Sequence, residues 1–507
     1  MNKSLSKTWL QYEAGKDYKR RIGLYGTVRE NERFYRGDQW HMMPSGNLPT
    51  PVFNVIKRVV DYMTCSVVPE NVIIRYTDDG LSYLSRREAE GVSRACAALS
   101  ESARYRWERA RMDAKLTRLA TNAAISGDGV LYCYWKPSAA GDGLYEGDIE
   151  TELIDNVNFF VADVNKNDIQ SQDYIILAGR ASVASLRAEA RASGVGERDV
   201  AKIVSDSTDD RERAGDFGAI ELEGSDEEKA TYLIKFWRED GKVCFEKSVR
   251  DCVIHRAKTP CTLYPVAYFN WNETKASFHG TSAVSGMIAN QKYINRSYAM
   301  VMKHMSDTAF SKVIYDKSKI PEWSNEVGEA IGAVGAVNVS DTVAVLGVGK
   351  LQEDYLAFLD NVISTTKELA GATETALGNV KPENTSAILA IQEASRMPLK
   401  LVRRALYQCI EDLAAIWADM TLAYFGADRL IGSASGEVGA TSLGAVSSIA
   451  GLRPCIEIRD ADSLNSSVAL SILDKLLDGG HITLEQYLKK LPKEYIENSA
   501  ELIGGNV

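Results

Sequence analysis

Tyr264-Pro-Val-Ala-Tyr-Phe-Asn-Trp271, a few polar residues, and then Phe278-His-Gly-Thr-Ser-Ala-Val-Ser-Gly286 lead straight into a long amphipathic segment. In that segment Val284, Met287, Gln291, Ile294, Tyr298, Val301 and Met305 recur in alternating steps of three and four, the heptad spacing of a helix that packs lengthwise on another. A second stripe, Tyr355, Phe358, Val362, Thr365, Leu369, Ala372 and Ala376, repeats the alternation. Each predicted helix is about 25 residues, roughly 37 Å long at the α-helical rise. The residues between them are short strand-like and Gly-Val segments, so the pair reads as a rod capped by a small β-rich tip. Taken by itself, the pattern also describes an ordinary helical hairpin core.

Toward the N-terminus, a polar helical stretch reaches Arg33-Phe-Tyr-Arg-Gly-Asp-Gln-Trp40 and gives way to a Pro-rich bend. After Pro49 and Pro51, Asn54 can cap a helix whose apolar face is Ile56, Val59, Val60, Met63 and Val67. Residues 86–126 read as one long helical run, basic on balance, for which a solvated face explains the charge better than nucleic-acid binding. The run ends at Ser126-Gly-Asp-Gly129 and hands over to Val-Leu-Tyr-Cys-Tyr-Trp, a sequence of high strand propensity. Strands are expected again at 155–161, 174–177 and 231–237, and Glu239-Asp-Gly-Lys242 reads as a hairpin turn. Between Asp206 and Lys229, ten acidic residues outnumber three basic ones, the composition of an exposed charged loop.

Toward the C-terminus, Leu377-Gly-Asn-Val-Lys-Pro-Glu-Asn384 is a loop by its Gly, Asn and Pro content. Asn384 or Thr385 then caps a helix expected to run to about Phe425. Pro398 in its interior removes a hydrogen bond and clashes with the preceding turn, which predicts a kink. A Gly- and Ser-rich stretch leads to a strand over 454–459, and a last helix carrying Leu470, Leu473 and Leu477 ends at Gly479-Gly480.

The chain has 507 residues, 45% hydrophobic and 25% charged, the balance of a folded protein with more than one structural unit. A net charge of −10 argues against a protein whose main task is to grip phosphates, though not against one that DNA slides past. No apolar run is long enough to span a bilayer, and the first residues lack the apolar core of a secretory signal. The eight cysteines are scattered as in a reducing compartment. Cys244, Cys252, His255 and Cys261 have gaps unlike those of zinc sites.

Motifs for chemistry fail one by one. Gly347-Val-Gly-Lys350 is followed by Leu351 where a phosphate loop needs Ser or Thr, and Ala344 stands where its first glycine belongs. Gly432-Ser-Ala-Ser-Gly436 has Ala at the place of a hydrolase nucleophile. No catalytic residue, metal ligand or cofactor is expected.

Four blocks carry a resemblance: Phe34-Tyr-Arg-Gly-Asp-Gln-Trp40 with Pro51-Val-Phe-Asn54, Ser126-Gly-Asp-Gly129 leading into a strand, the passage 264–286, and Asn384-Thr-Ser-Ala-Ile388. In this order and spacing, over roughly residues 20–425, the chain closely resembles the portal proteins of tailed bacteriophages. The resemblance implies an α+β, mainly helical subunit: 1–280 as N-terminal region and wing, 281–306 and 351–376 as the two-helix stem, and 307–350 as a small β-rich clip. It implies a tunnel loop, a long kinked helix and the remainder of the wing at 377–459, and a helical crown at 460–507. Portals differ most where this chain has its charged insertion, 181–230, and its last 50 residues.

By the same resemblance the subunits form a ring, usually of twelve copies, at one vertex of the capsid in the virion, assembled in the bacterial host cytoplasm with major capsid and scaffolding proteins. Double-stranded DNA would pass through without sequence-specific contact. A separate terminase would supply ATP hydrolysis and dock on the clip, and head-completion or tail adaptor proteins would follow it. No membrane is implied. Asn379, Val380, Lys381, Pro382, Glu383 and Asn384 would form the tunnel loop, with Lys381 touching DNA, and Glu353, Asp354 and Asp360 would line a repelling channel wall. Two rival readings are a homo-oligomeric adaptor without a DNA channel and a metal-dependent nuclease.

Overall fold

The computed structural model describes residues 6–41, 43–69, 71–77, 86–140, 146–206, 228–309, 313–324, 331–335, 338, 342–345, 353–372, 397–425, 430–431, 441–442, 453–459, 473–483 and 487. In chain order its elements begin with α1 (Lys7–Arg21), α2 (Leu24–Arg36), α3 (Val55–Val67), β1 (Asn71–Thr77), α4 (Arg86–Arg109) and α5 (Met112–Ser126). There follow β2 (Asp128–Ala140), β3 (Glu146–Ile154), β4 (Phe159–Val161), β5 (Tyr174–Ser182), α6 (Val183–Ala192) and α7 (Glu197–Val200). Next come β6 (Lys229–Glu239), β7 (Lys242–Val249), β8 (Cys252–Lys258), β9 (Val266–Asn270), α8 (Ile288–Thr308), β10 (Val313–Tyr315) and β11 (Val343–Val345). The last are α9 (Glu353–Leu369), α10 (Lys400–Phe425), β12 (Leu430–Ile431), β13 (Thr441–Ser442) and β14 (Arg453–Arg459). The fold class is mixed α+β, as the sequence predicts.

The chain divides into two compact units, one of residues 1–67, 117–133 and 151–409, the other of residues 68–116, 134–150 and 410–507. The first is built on an antiparallel meander, β4-β5-β6-β7-β8. Side chains alternate across each strand. Ile175 and Leu177 of β5 join Phe236, Phe159, Tyr264 and Phe278 in one core, while Ile176 between them faces Trp9 and Tyr12 of α1 together with Leu233. The sheet is therefore covered on both faces. The expected turn joins β6 to β7: Glu239 pairs with Lys242, and Asp240 and Gly241 both have positive φ, 51° and 72°, the geometry a two-residue hairpin loop requires. The insertion after β5 begins as a packed piece, since Leu186, Ala190 and Val200 of α6 and α7 share a core with Ile254 of β8. Residues 207–227, where most of its acidic charge lies, fall outside the described residues.

In the same unit α3 buries Ile56, Val59, Val60, Met63 and Val67, the face read from the sequence, and Asn54 Oδ1 accepts from the Lys57 amide 3.0 Å away, as its capping role predicts. The first stem helix differs from expectation. It spans Ile288–Thr308 rather than 281–306, because Ser282 Oγ accepts from the amides of Val284 and Ser285 and holds 281–287 in a turn. The second, expected at 351–376, is described as helix over Glu353–Leu369. Gly371, at φ 73°, closes it: its amide bonds Glu368 O and the Ala372 amide bonds Lys367 O, a Schellman cap that only a left-handed residue permits. The helices have 21 and 17 residues, about 32 and 26 Å at the α-helical rise. Between them β10 and β11 form one antiparallel pair.

In the second unit β1 pairs antiparallel with β14, and α4 packs on β1. The single helical run expected over 86–126 is two helices, interrupted at Arg111, whose φ of 50° no α-helix accommodates. Trp107 meets Trp417 edge-on at 6.2 Å, and Trp135 stacks on Tyr424 at 5.1 Å. Within 460–507 the described helical residues are 473–478 and 487, and the first run ends where Gly480 takes φ 69°, at the predicted Gly-Gly stop.

Candidate functional site: a buried polar joint and an exposed helix pair

The Ser126-Gly-Asp-Gly129 turn and the Phe278-His-Gly280 segment, distant in sequence, meet in one joint. Gly127 has φ 100°, and a Cβ there would stand 2.6 Å from Gly280 O, so no side chain fits. Asp128, fully buried at its side chain, is held by donors from several segments. Its Oδ1 accepts from the Gly280 amide at 2.7 Å and Asn270 Nδ2 at 3.1 Å, and its Oδ2 from Asn156 Nδ2 at 3.2 Å. His279 Nδ1 lies 2.7 Å from the same Oδ2. Lys19 of α1, also buried, donates to the carbonyls of Asn156, Val157 and Phe159 at 2.6, 3.0 and 2.6 Å. Burial pushes the Lys19 ammonium well below the usual lysine range, with Asp128 pulling the other way. Burial likewise pushes the Tyr268 phenol well above its usual range. A carboxylate and an ammonium so deeply placed persist only because their hydrogen-bonding capacity is met.

A second chain of amides ties the Phe34–Trp40 block to α8. Gln39 Nε2 donates to Phe34 O, and Asn295 Nδ2 donates to Gln39 Oε1 at 2.6 Å. Gln291 Nε2 donates to Asn295 Oδ1 and Phe53 O, while its Oε1 accepts from the amides of Val55 and Ile56 at the start of α3. Trp40 Nε1 closes onto Pro51 O at 2.8 Å. Asn31 of α2 donates to Ile125 O and to the hydroxyls of Ser282 and Ser285, joining α2, the end of α5 and the turn before α8. Thus Gln39, Trp40, Asp128, Asn270 and Ser282, polar letters of three quoted blocks, are internal fastenings.

The helix pair is arranged otherwise. Asn290 Nδ2 donates to Thr366 Oγ1 at 3.1 Å and Tyr293 meets Phe358 edge-on at 6.3 Å, so α8 and α9 run antiparallel. On α8 the predicted stripe is buried as far as Val301 apart from half-buried Tyr298, but Met305 is 63% exposed. On α9 the predicted stripe is divided: Phe358 is 51% and Leu369 80% exposed and Thr365 is exposed, Tyr355 and Val362 are half-buried, and Leu359 and Thr366, one position along, are buried. Among the described residues, both helices therefore present exposed apolar side chains.

Asp354 and Asp360 are exposed on α9, and Glu353 is its first residue. The residues of the predicted tunnel loop, Asn379, Val380, Lys381, Pro382, Glu383 and Asn384, lie outside the described residues, as do Asn384–Ile388 of the fourth block. Pro398 does not kink a described helix. It sits in a 3-10 turn, Met397–Leu399, directly ahead of α10, which begins at Lys400 and has 26 residues. Proline suits that place, since the first residues of a helix need no donor.

Sequence reasoning found the turn at 126–129 but not the joint it builds, and it missed Lys19, Asn156 and Asn270. The available signal was a lone Asp between two glycines ahead of a strand. Among the described residues no three of His, Cys, Asp and Glu gather as a metal group, and no helix is long and apolar enough to cross a membrane. No protein-family model matches the sequence, and comparison with curated proteins returns no match.

Proposed function

We propose that the chain is the ring-forming subunit of a phage portal, through which double-stranded DNA is packaged and ejected. The observation that carries the reading is the helix pair. Two antiparallel helices, joined through a segment holding a short β pair, leave Phe358, Leu369 and Met305 outside the chain's own core. An apolar stripe of that kind is the surface a neighbouring copy would bury. The joint around Asp128 and the amide chain around Gln291 support the reading from the other side, because they anchor the root of α8 rigidly, as a stem under load requires. In this reading α8 and α9 form the stem, the β10–β11 segment the clip on which terminase and later head-completion proteins dock, and residues 379–384 the tunnel loop. The subunit carries no catalysis; terminase hydrolyses ATP.

Outward carboxylates at Asp354 and Asp360 fit a passage that repels DNA rather than binds it, because each fixed phosphate contact adds affinity that movement must break. The exposed stripe also suits an adaptor that closes into a bundle without a hole. Deleting residues 379–384 separates the two. A portal lacking its tunnel loop still forms rings but packages or retains less DNA in a packaging assay; undiminished packaging would remove the loop from the account.

A further inference from the structure

Beside the joint, in the same unit, lies a cleft of about 210 Å³ lined by Val28, Glu32, Tyr35, Arg36, Asn122, Ser126, Asp155 and Asn156 among others. Three of its lining residues carry oxygen acceptors, and two of these have a buried oxygen without a hydrogen-bond partner in the protein. Asn156 is only 2% exposed, and its orientation is fixed, because Nδ2 donates to Ser126 O and to Asp128 Oδ2. Its amide oxygen is therefore the atom left over, and that buried Oδ1 has no hydrogen-bond partner in the protein. Glu32 Oε2 is likewise buried and unpartnered. Asp155 stands at the start of the 3-10 turn at Asn156–Asn158 but its carboxylate does not cap that turn. Glu32, Asp155 and Asn156 thus line one cleft, and among its described lining residues exposed Arg36 is the cationic one.

We propose that this cleft is a structural divalent-cation site, with Glu32, Asp155 and the Asn156 amide oxygen as its protein ligands and water completing the shell. An all-oxygen set selects a hard cation, Ca²⁺ or Mg²⁺, over zinc or copper. Calcium is the better match: it accepts irregular geometry and mixed carboxylate, amide and water ligands, and the cleft has room for an ion with several waters at about 30 Å³ each. An ion here would join α2 to the 3-10 turn beneath which Lys19 is anchored. The inference stands whether or not the chain is a portal, since it concerns the ion-binding of one subunit.

Tyr35 lines the cleft and supplies the probe. Full-length protein is titrated with Tb³⁺ while tyrosine is excited, and bound ion is then displaced with Ca²⁺ and with Mg²⁺. Saturable emission is expected at one ion per chain, displaced by Ca²⁺ at lower concentration than by Mg²⁺. In Asp155→Asn and Glu32→Gln, both conservative in shape, the affinity falls at least tenfold and the rise in melting temperature given by Ca²⁺ is lost. Tyr35→Phe keeps that rise and loses most of the emission. Titrations identical in wild type and both carboxylate variants would overturn the site, as would Ca²⁺ failing to shift the wild-type melting temperature.

Discussion

The Asp128 joint and the α8–α9 pair belong to one compact unit and dispose of their side chains in opposite ways. The joint places charged groups inside and answers them: Asp128 accepts from Gly280, Asn270 and Asn156, and Lys19 donates to three carbonyls. The helix pair places apolar groups outside, with Phe358 and Leu369 uncovered. The first arrangement is made within one chain, whereas the proposed account completes the second with a neighbouring copy. In the proposed account, residues that fix the subunit's shape and residues that make the assembly are therefore separate sets, and substitutions should divide the same way.

The largest effect is expected at Asp128. Asp128→Ala leaves buried donors unanswered and destabilises the unit by about 3–5 kcal/mol, the cost of breaking a buried charged network; urea unfolding measures it. Gly127→Ala should follow, at about 1–3 kcal/mol for the forced left-handed backbone, with the contact to Gly280 O added. By contrast, Phe358→Ser combined with Leu369→Ser should leave the melting temperature of the single chain within the range of about 0.5 kcal/mol typical of surface changes. The same pair should abolish higher-order assembly in light scattering. Loss of assembly with unchanged stability at Asp128, or loss of stability with unchanged assembly at Phe358, breaks the division.

The pH response is smaller and its sign is defined. Burial raises the carboxyls of Glu32 and Asp155 above their ordinary values of 4.5 and 3.8. The native chain therefore holds protons that the unfolded chain has released, and these groups lower stability as pH rises from the ordinary values through the raised ones. In metal-free buffer, Glu32→Gln should flatten the fall in melting temperature over that window relative to wild type. Smallest of all, Asp354→Asn with Asp360→Asn should leave folding and ring formation unchanged and slow DNA passage modestly. A ring that fails to form in this variant would move both carboxylates from the channel wall to a subunit interface.

What the sequence disclosed was mostly local. The Asp240-Gly241 hairpin, the Asn54 cap and the buried face of α3 follow from neighbouring residues, and the structure has them as read. The heptad on α9 was legible as a stripe but not as a direction: periodicity gives the spacing of an apolar face, and only tertiary contacts decide that Leu359 and Thr366 turn inward instead. Gly371 stopped that helix before Ala372, a signal present in the sequence that the continuing stripe concealed. The pairing of β1 with β14 and the placing of Lys19 under the carbonyls of 156–159 depend on partners far along the chain, which no local pattern encodes.

The central claim, that the exposed stripes of α8 and α9 close a ring around a passage for DNA, is tested most directly by electron microscopy of the protein produced together with its capsid and scaffolding partners. The account predicts end-on views of rings with a central channel about 20 Å or more across, wide enough for the duplex implied by its groove dimensions. Closed bundles with no channel, both stripes buried against neighbours, would contradict it.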